Sequence, residues 1–284
     1  MLEPVVLRRG EGEYVSRSAT REVAILSDFE QLTVTISRYA AGERGPDPHV
    51  HRRHVDAFYV LEGEMAYTFG REDRTVVAEA GTFVLVPTGV VHTFANQSEH
   101  EVRWLNFHAP DAGFAAFLRG DASGFDSEDP PPDRGLPADE ALVSEPSAGD
   151  RFERRDRILE IKGEVPELSA IEIAFDPSFT VEPHSHSDHV DAFWVLDGEV
   201  EFTVGDDAVV AEAGTFVAAP PDSRQASGTP APCARRSSTS TAPTPASPTR
   251  SGASDRADRW NRRSATRRSS TTSLRGTTTS RPRR

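Results

Sequence analysis

The chain contains two histidine pairs of the form His-x-His, at 49–51 and at 184–186. In an extended segment the side chains of residues two apart point to the same side, so both imidazoles of a pair can bind one ion. A carboxylate follows each pair at the same spacing, as Asp56 and as Asp191. Imidazole and carboxylate are donors that divalent first-row metals accept, and the pattern therefore predicts metal binding.

A third histidine strengthens the prediction for the first pair. His92 lies in "GTFVLVPTGVVHTFAN", just after a Pro-Thr-Gly turn. Three imidazoles and one carboxylate leave positions open in a six-coordinate shell for water or substrate. If the His-x-His pair stood alone, we would interpret it as two partly solvated surface histidines. The addition of Asp56 and His92 is what favours a metal site.

The histidine pairs belong to a longer internal repeat. The pattern "HxHxxHVDAFxVLxGE" occurs at 49–64 and at 184–199, and "VVAEAGTFV" occurs at 76–84 and at 209–217. The segment 121–150 between the copies is rich in Pro, Gly and acidic residues and has no apolar periodicity, as is typical of a linker. The repeat therefore predicts two related domains.

Each copy has the alternating pattern of a β-strand protein. Met65, Tyr67 and Phe69 alternate with small or polar residues in "EMAYTF" (64–69), and "EVEFTV" (199–204) repeats the pattern. Many short strands separated by turns favour a small β-barrel or sandwich in each copy.

The two motifs together resemble those of the cupin superfamily. Its first motif ends H-x-H-x(3,4)-E-x(6)-G, and His51, Asp56 and Gly63 have this spacing. Its second motif is G-x(5)-P-x-G-x(2)-H-x(3)-N, and its fixed positions correspond to Gly81, Pro87, Gly89, His92 and Asn96.

The resemblance implies an all-β fold with two tandem cupin barrels (double-stranded β-helix, or jelly roll). From the sequence after residue 224 we expect the second barrel to be incomplete and to be followed by a disordered C-terminal tail. The resemblance also implies a divalent transition metal (Fe, Mn, Ni, Cu or Zn) in the first barrel, bound by His49, His51, Asp56 and His92. The corresponding residues of the second barrel, at a site expected to be weak or empty, are His184, His186 and Asp191.

The motif departs from the family pattern at the acid and at one histidine. Both copies have Asp where the family usually has Glu, so Asp56 either ligates after a small backbone shift or acts through water. Each copy also has an extra histidine, His54 or His189. These histidines could replace the acid as a metal ligand, or they could contact a ligand without binding the ion. We favour a third interpretation, in which they are solvated histidines on a loop. For His108 and for aromatic residues such as Phe58 and Tyr59, we expect core packing.

The second copy stops matching the first at Gln225, where the equivalent of His92 is expected. Beyond it the composition changes abruptly to Ser, Thr, Pro, Ala and Arg, so we expect the second barrel to be truncated and the remainder to be disordered. The expected units are the first barrel, the linker, the second barrel and the tail, at 20–120, 121–150, 151–224 and 225–284.

The genetic code offers a sharper interpretation of the tail. If one nucleotide were lost at residue 225, every later codon would be read one base out of frame. A Ser in the given sequence would then correspond to Phe, Leu, Ile or Val in the original frame, and a Thr to Tyr, His, Asn or Asp. Decoded in this way, 237–249 is compatible with 104–116 at ten of thirteen positions. We therefore predict that 225–284 is a frameshift product. The alternative is a genuine Arg/Ser-rich tail that binds RNA or acidic partners.

Composition limits the class of protein. With 284 residues the chain can form two domains, each with its own core, and one cysteine, Cys233, excludes an internal disulfide. No segment approaches the roughly 20 apolar residues of a membrane span, and we expect a cytoplasmic protein. The net charge of −13 argues against binding to nucleic acid or anionic membranes by the main body of the chain.

For function, the resemblance implies a metal-dependent enzyme, most similar to the quercetinase-like dioxygenases of this superfamily. Asp56 would offset the charge of the ion and accept a proton from a substrate hydroxyl. The partners expected are a small-molecule substrate or ligand and a second copy of the chain in a homodimer. A non-catalytic cupin that binds a small molecule is the alternative, because fold and metal do not choose a reaction. A product with a damaged second half that does not fold stably is a third possibility.

Overall fold

The computed structural model describes residues 2–228 and the backbone of a strand at 269–277. The rest of the tail, including Cys233 and the segment 237–249, lies outside the described residues, so the frameshift stays a prediction. The described chain is almost entirely β-structure, and the expected all-β fold with two jelly-roll barrels is confirmed.

The elements of the first half follow one another as short strands with one short helix. In chain order they are β1 (Val5–Leu7), β2 (Glu13–Arg17), β3 (Arg21–Phe29), β4 (Leu32–Tyr39), β5 (Val55–Glu62), β6 (Glu64–Phe69), β7 (Arg74–Glu79), β8 (Phe83–Val86), β9 (His92–Ala95), β10 (Val102–Ala109), α1 (Phe114–Leu118) and a 3-10 turn (Ala138–Glu140).

The second half repeats this order. Its strands are β11 (Leu142–Ser144), β12 (Asp150–Glu153), β13 (Arg157–Val165), β14 (Leu168–Phe175), β15 (Thr180–His184), β16 (His189–Asp197), β17 (Glu199–Val204), β18 (Asp207–Glu212), β19 (Phe216–Ala219), β20 (Gln225–Gly228) and β21 (Ser269–Thr277).

Each barrel consists of a large and a small antiparallel sheet. In the first barrel the large sheet has the order β11-β8-β5-β10-β4-β3-β2, and the small one has the order β7-β6-β9. In the second barrel the corresponding orders are β1-β19-β16-β21-β14-β13-β12 and β15-β20-β17-β18. The alternation in the sequence predicted that one face of β6 is buried. Met65, Tyr67 and Phe69, which lie on that face, are all buried.

A glycine makes the turn between β5 and β6. Gly63 has φ 77°, a left-handed conformation that favours glycine. A Cβ atom added there would lie 2.4 Å from the carbonyl oxygen of Glu101, so a side chain has no room. The repeated glycine of the two motifs is therefore required by backbone geometry in the first barrel.

The two barrels exchange strands. The N-terminal strand β1 pairs with β19 of the second barrel, and β11 pairs with β8 of the first. The segment 121–150 therefore differs from the expected linker, because it contains β11 and forms a backbone bridge between Glu128 and Val50. Its contacts are made by separated residues, such as the buried Ala138, so no periodic pattern reveals them.

The second barrel extends past the boundary expected at residue 224. Strand β20 (Gln225–Gly228) completes its small sheet by pairing with β15 and β17. Strand β21 (Ser269–Thr277) lies between β14 and β16, the position that β10 has between β4 and β5 in the first barrel. Two stretches of the expected tail are thus parts of sheets.

The largest core cluster lies between the barrels. The large sheets contribute to it from both sides, with Phe83 and Phe107 from the first barrel and Val190 and Phe216 from the second. The hydroxyl of Tyr59 adds a hydrogen bond across this interface to a carboxylate oxygen of Glu172, at 3.1 Å. Burial of this shared apolar surface stabilises both barrels together.

Among the described residues, no helix is both long enough and apolar enough to cross a lipid bilayer.

We expect Phe83→Ala to lower the free energy of unfolding by about 3–5 kcal/mol, since it leaves a cavity in the core between the barrels. Phe83 is 0% exposed, and its ring packs so closely on Gly163 of β13 that a Cβ atom added to this glycine would lie 2.7 Å from the ring. Equilibrium urea unfolding measures the change. Phe152→Ala is the matched control, because Phe152 is 45% exposed and its loss should change stability by about 0.5 kcal/mol or less. Equal losses in the two variants would contradict a shared core.

Candidate metal centre

Strand pairing brings the first histidine pair to the third histidine. His49 and His92 form a backbone bridge, with the amide of each donating to the carbonyl of the other at 3.1 and 2.9 Å. His51 is two residues further along the same extended stretch, and Asp56 lies on β5. Four residues separated by up to 43 positions in the chain therefore meet at one end of the first barrel.

The potential ligand atoms of these four residues all lie within 4.8 Å of one another. The Nε2 atom of His92 lies 3.2 Å from Oδ2 of Asp56, and Nε2 of His51 lies 3.8 Å from the same oxygen. His51, Asp56 and His92 are each at most 3% exposed, and His49 is partly exposed. Asp56 reaches the histidines even though it is shorter than the usual Glu. Ligation by these four residues itself stays a prediction.

Nδ1 has the same kind of hydrogen-bond partner in all three imidazoles, whereas Nε2 of His92 lies 3.2 Å from Oδ2 of Asp56. Each Nδ1 faces a backbone carbonyl oxygen, which can only accept, so Nδ1 carries the hydrogen and Nε2 has the lone pair. The carbonyls facing His49, His51 and His92 are those of Asp47 (2.9 Å), Asp126 and Val90 (3.1 Å), respectively. Nε2 of His51 is buried without a hydrogen-bond partner in the described structure. A buried lone pair without a donor is what a metal ion would satisfy.

The charge states of the site also suit a metal ion. Burial and the neighbouring His92 and His51 lower the pKa of His49 to about 3. Burial alone would raise the pKa of Asp56, but the imidazoles of His108, His51 and His92 outweigh it and hold that pKa well below its usual value. At neutral pH His49 is therefore neutral and Asp56 is ionised, which are the forms that bind metals.

His54 and His108 differ from what the sequence led us to expect. His54 is 0% exposed, so the prediction of a solvated loop histidine is wrong. Its Nε2 atom is hydrogen-bonded to Nδ1 of His108 at 2.8 Å, and the His108 ring stacks on Phe114 at 3.5 Å between centroids. With His51 they form a second group of three histidines that could hold an ion. His108 is buried as expected, but it contacts the site, because the register of β10 and β5 sets it opposite Asp56.

Asn106 and Asp126 were not predicted from the sequence. The side-chain amide of Asn106 donates to Oδ1 of Asp56 at 2.5 Å and to the carbonyl of Ala57 at 3.0 Å. Asp126 lies in the segment expected to be a linker and contacts the loop that follows His51. The alternating pattern of "WLNFHAP" gives the one available signal for Asn106, because it puts Asn106 on the same face of β10 as His108.

A cavity of about 440 Å³ opens beside the four candidate ligands. His49, His51 and Asp56 are part of its lining. The rest of its lining includes charged residues such as Arg21 and Glu128 and the aromatic rings of Tyr39, Phe94, Trp104, Phe114, Phe117 and Phe125. Phe58 and Tyr59 belong instead to the apolar cores, as expected for aromatic residues on a barrel strand.

The second barrel has the same arrangement with one ligand replaced. His184 pairs with Gln225 across β15 and β20, as His49 pairs with His92 in the first barrel. The side-chain amide of Gln225 donates a hydrogen bond to Oδ2 of Asp191, and Nε2 of His186 lies 3.2 Å from that oxygen. An amide that donates to the carboxylate occupies the fourth ligand position. A metal would have to displace it, which weakens binding relative to the first barrel.

Comparison with known proteins gives two matches to one family and one curated relative. The family model described as a cupin domain matches residues 35–108 and 171–227. Quercetin 2,3-dioxygenase from Bacillus subtilis (strain 168) is 32% identical over 100 residues, which cover 34% of this chain and 29% of the relative. The matched stretch is thus less than a third of that relative's length.

Solved structures of the same architecture cover nearly the whole chain. Protein Ylba from E. coli has a TM-score of 0.60 and 11% identity, over 96% of this chain and 90% of that one. A mutant of oxalate decarboxylase from Bacillus subtilis has a TM-score of 0.59 and 11% identity, over 96% of this chain and 77% of that one. At 11% identity, the similarity to these structures shows a shared fold and no more.

We expect the purified chain to bind close to one metal ion and His92→Ala to lose most of it, because the variant removes a buried ligand lone pair. His184→Ala should leave the metal content nearly unchanged, since its barrel has Gln225 in the fourth position. Elemental analysis after dialysis measures the ratio, with His100→Ala as the exposed-histidine control. An equal loss in the His92 and His184 variants would rule out a single working site.

We expect Gln225→His to raise the metal content from one to about two ions per chain, because an imidazole there restores the ligand set of the first barrel. Elemental analysis of this variant beside Gln225→Ala tests the point, since Ala removes the amide without adding a ligand. Unchanged metal content in Gln225→His would mean that something other than the fourth ligand prevents binding in the second barrel.

Proposed function

Because the chain belongs to the cupin superfamily, with two cupin domains in tandem, we propose that its first barrel is a metal-dependent enzyme of the dioxygenase type that acts on a small organic molecule. The observation that carries the proposal is the position of the candidate ligands. Four ligand atoms lie within 4.8 Å of one another, and three of the four residues, His49, His51 and Asp56, line a cavity that also contains six aromatic side chains. The similarity to a quercetin 2,3-dioxygenase supports this reaction class.

The donor set fits a transition metal. His49, His51 and His92 would hold the ion through Nε2, and Asp56 through a carboxylate oxygen. Three nitrogen donors and one oxygen donor suit Fe, Mn, Ni, Cu or Zn. When bound, such an ion supplies a Lewis-acid centre and, for the redox-active metals, a one-electron couple.

The cavity favours an aromatic or otherwise flat substrate. Its volume of about 440 Å³ lies in the range of small-molecule sites, which bury most of a ligand's surface. Rings such as Tyr39, Phe94 and Trp104 provide faces and edges for stacking. Asn106 and His108 add polar atoms near Asp56, so a hydroxylated end of the substrate would point to the ligands.

Asp56 is the residue that we assign to proton transfer. Its pKa is held well below the usual value, so it is ionised and able to accept a proton at neutral pH. A carboxylate of low pKa is a weak base, and this favours substrates with acidic hydroxyl groups, such as phenols and enols. Asn106 engages Oδ1 of Asp56, which leaves Oδ2 facing the histidines.

Oxygen consumption with a panel of flavonols and catechols tests the proposal. We expect turnover for at least one substrate after loading the chain with Fe, Mn, Ni or Cu, and loss of turnover of about 100-fold or more in His92→Ala, since that variant lacks a ligand. His100→Ala, at an exposed position, should retain full activity. Tight binding of these compounds without oxygen uptake for any metal would reject the enzyme and favour a non-catalytic cupin that binds small molecules.

A further inference from the structure

Asp126 is a buried acidic residue that lies outside the barrel strands. It follows α1 in the segment between the domains and is 6% exposed. Its amide donates to the carbonyl of Ala112 at 3.1 Å, and two residues later Glu128 forms a two-way backbone bridge with Val50 at 3.0 Å. The main chain around Asp126 is thus attached to the first barrel on both sides.

The four residues after Val50 all make contact with Asp126. Its Oδ2 atom accepts hydrogen bonds from the backbone amides of Arg52 (3.0 Å) and Arg53 (2.6 Å), and from Nδ1 of His54 (2.9 Å). Its backbone carbonyl accepts a hydrogen bond from Nδ1 of His51. One residue therefore accepts from His51 and from each of the three residues that follow it.

The loop at 51–54 depends on these contacts because it is not part of a strand. An isolated turn leaves its backbone amides unpaired, and unpaired buried amides are costly. An ionised carboxylate accepting two amides and an imidazole forms charge-assisted bonds, which are stronger than neutral ones. The same loop determines where the ring of His51 points.

We propose that Asp126 is a positioning residue that holds the loop 51–54 in its metal-binding conformation. The inference rests on the metal site of the proposed function and assigns to it a residue from outside the strands. Asp126 sets the tautomer of His51 through its carbonyl, so that Nε2 is free for the ion. It fixes the backbone of the loop through its carboxylate.

A second connection reaches Asp56 from the same carboxylate. His54 is hydrogen-bonded to His108 at 2.8 Å, Nε2 of His108 lies 3.2 Å from Oδ1 of Asn106, and the amide of Asn106 donates to Asp56. Asp126 is thus connected to two of the four candidate ligands, directly to His51 and through three side chains to Asp56.

The second barrel has a weaker arrangement at the equivalent loop. There Nδ1 of His189, the counterpart of His54, is hydrogen-bonded at 2.8 Å to the carboxylate of its neighbour Asp188. The Asp188 side chain is 77% exposed, whereas that of Asp126 is 4% exposed. An exposed carboxylate on the loop itself cannot attach that loop to another part of the chain.

Metal affinity of the full chain tests the proposal, with Co²⁺ competed against a chelator and Cu²⁺ examined by electron paramagnetic resonance. We expect Asp126→Ala to weaken Co²⁺ binding about 10- to 100-fold and to change the Cu²⁺ spectrum, as loss of a group that orients a ligand does. Asp126→Asn keeps an acceptor oxygen for the loop amides and should weaken binding less, with a spectrum closer to the parent's. Asp121→Asn, five residues away in the same segment and exposed, is the matched control, because its side chain is hydrogen-bonded to Ser123 and not to the loop, and it should match the parent in both.

The outcomes separate this inference from the proposed function. If the parent chain binds no metal, the metal site itself is wrong. If the parent binds and both Asp126 variants match it in affinity and spectrum, Asp126 does not position the ligands. Should Asp126→Ala fail to fold, Asp126→Asn decides alone, and parent-like affinity and spectrum in that variant overturn the proposal.

Discussion

The candidate metal site depends on hydrogen bonds between imidazole Nδ1 atoms and backbone carbonyls. An imidazole has two nitrogens, and a buried ring without a partner could present either one. The carbonyls of Asp47, Asp126 and Val90 remove that freedom, so three Nε2 atoms converge near Asp56. Because carbonyls are held by strand pairing and by the segment after α1, the position of the lone pairs follows from the backbone. The rest of the barrel serves to keep this backbone in place.

The two barrels form a natural comparison of one site with and without its third histidine. The strand pairing that brings His92 to His49 also brings Gln225 to His184. The side-chain amide of the glutamine donates a hydrogen bond to Oδ2 of Asp191. In the first barrel Nε2 of His92 lies at that position, 3.2 Å from Oδ2 of Asp56, and the amide of Asn106 donates to the other oxygen. One side chain therefore separates a site with three imidazoles beside its carboxylate from a site with two imidazoles and an amide.

Strand exchange has a consequence for how the two halves support each other. Each large sheet has an edge strand that comes from the other half of the chain, and their apolar faces share one core cluster. The segment that joins the halves also carries Asp126, which contacts the loop of the first site. The geometry of the first site thus depends on the connection between the domains as well as on its own barrel.

The sequence by itself determined the repeated domain, its strand character and the four candidate ligands, because these features are local. Residues two apart share a face of a strand, and a motif carries its own spacing. It also located the missing ligand at Gln225. The tertiary structure alone decided the burial of His54, the contact of His108 with the site and the function of Asp126, which is 72 positions from His54. Such contacts depend on strand register and on the path of the joining segment, and neither leaves a periodic pattern in the chain.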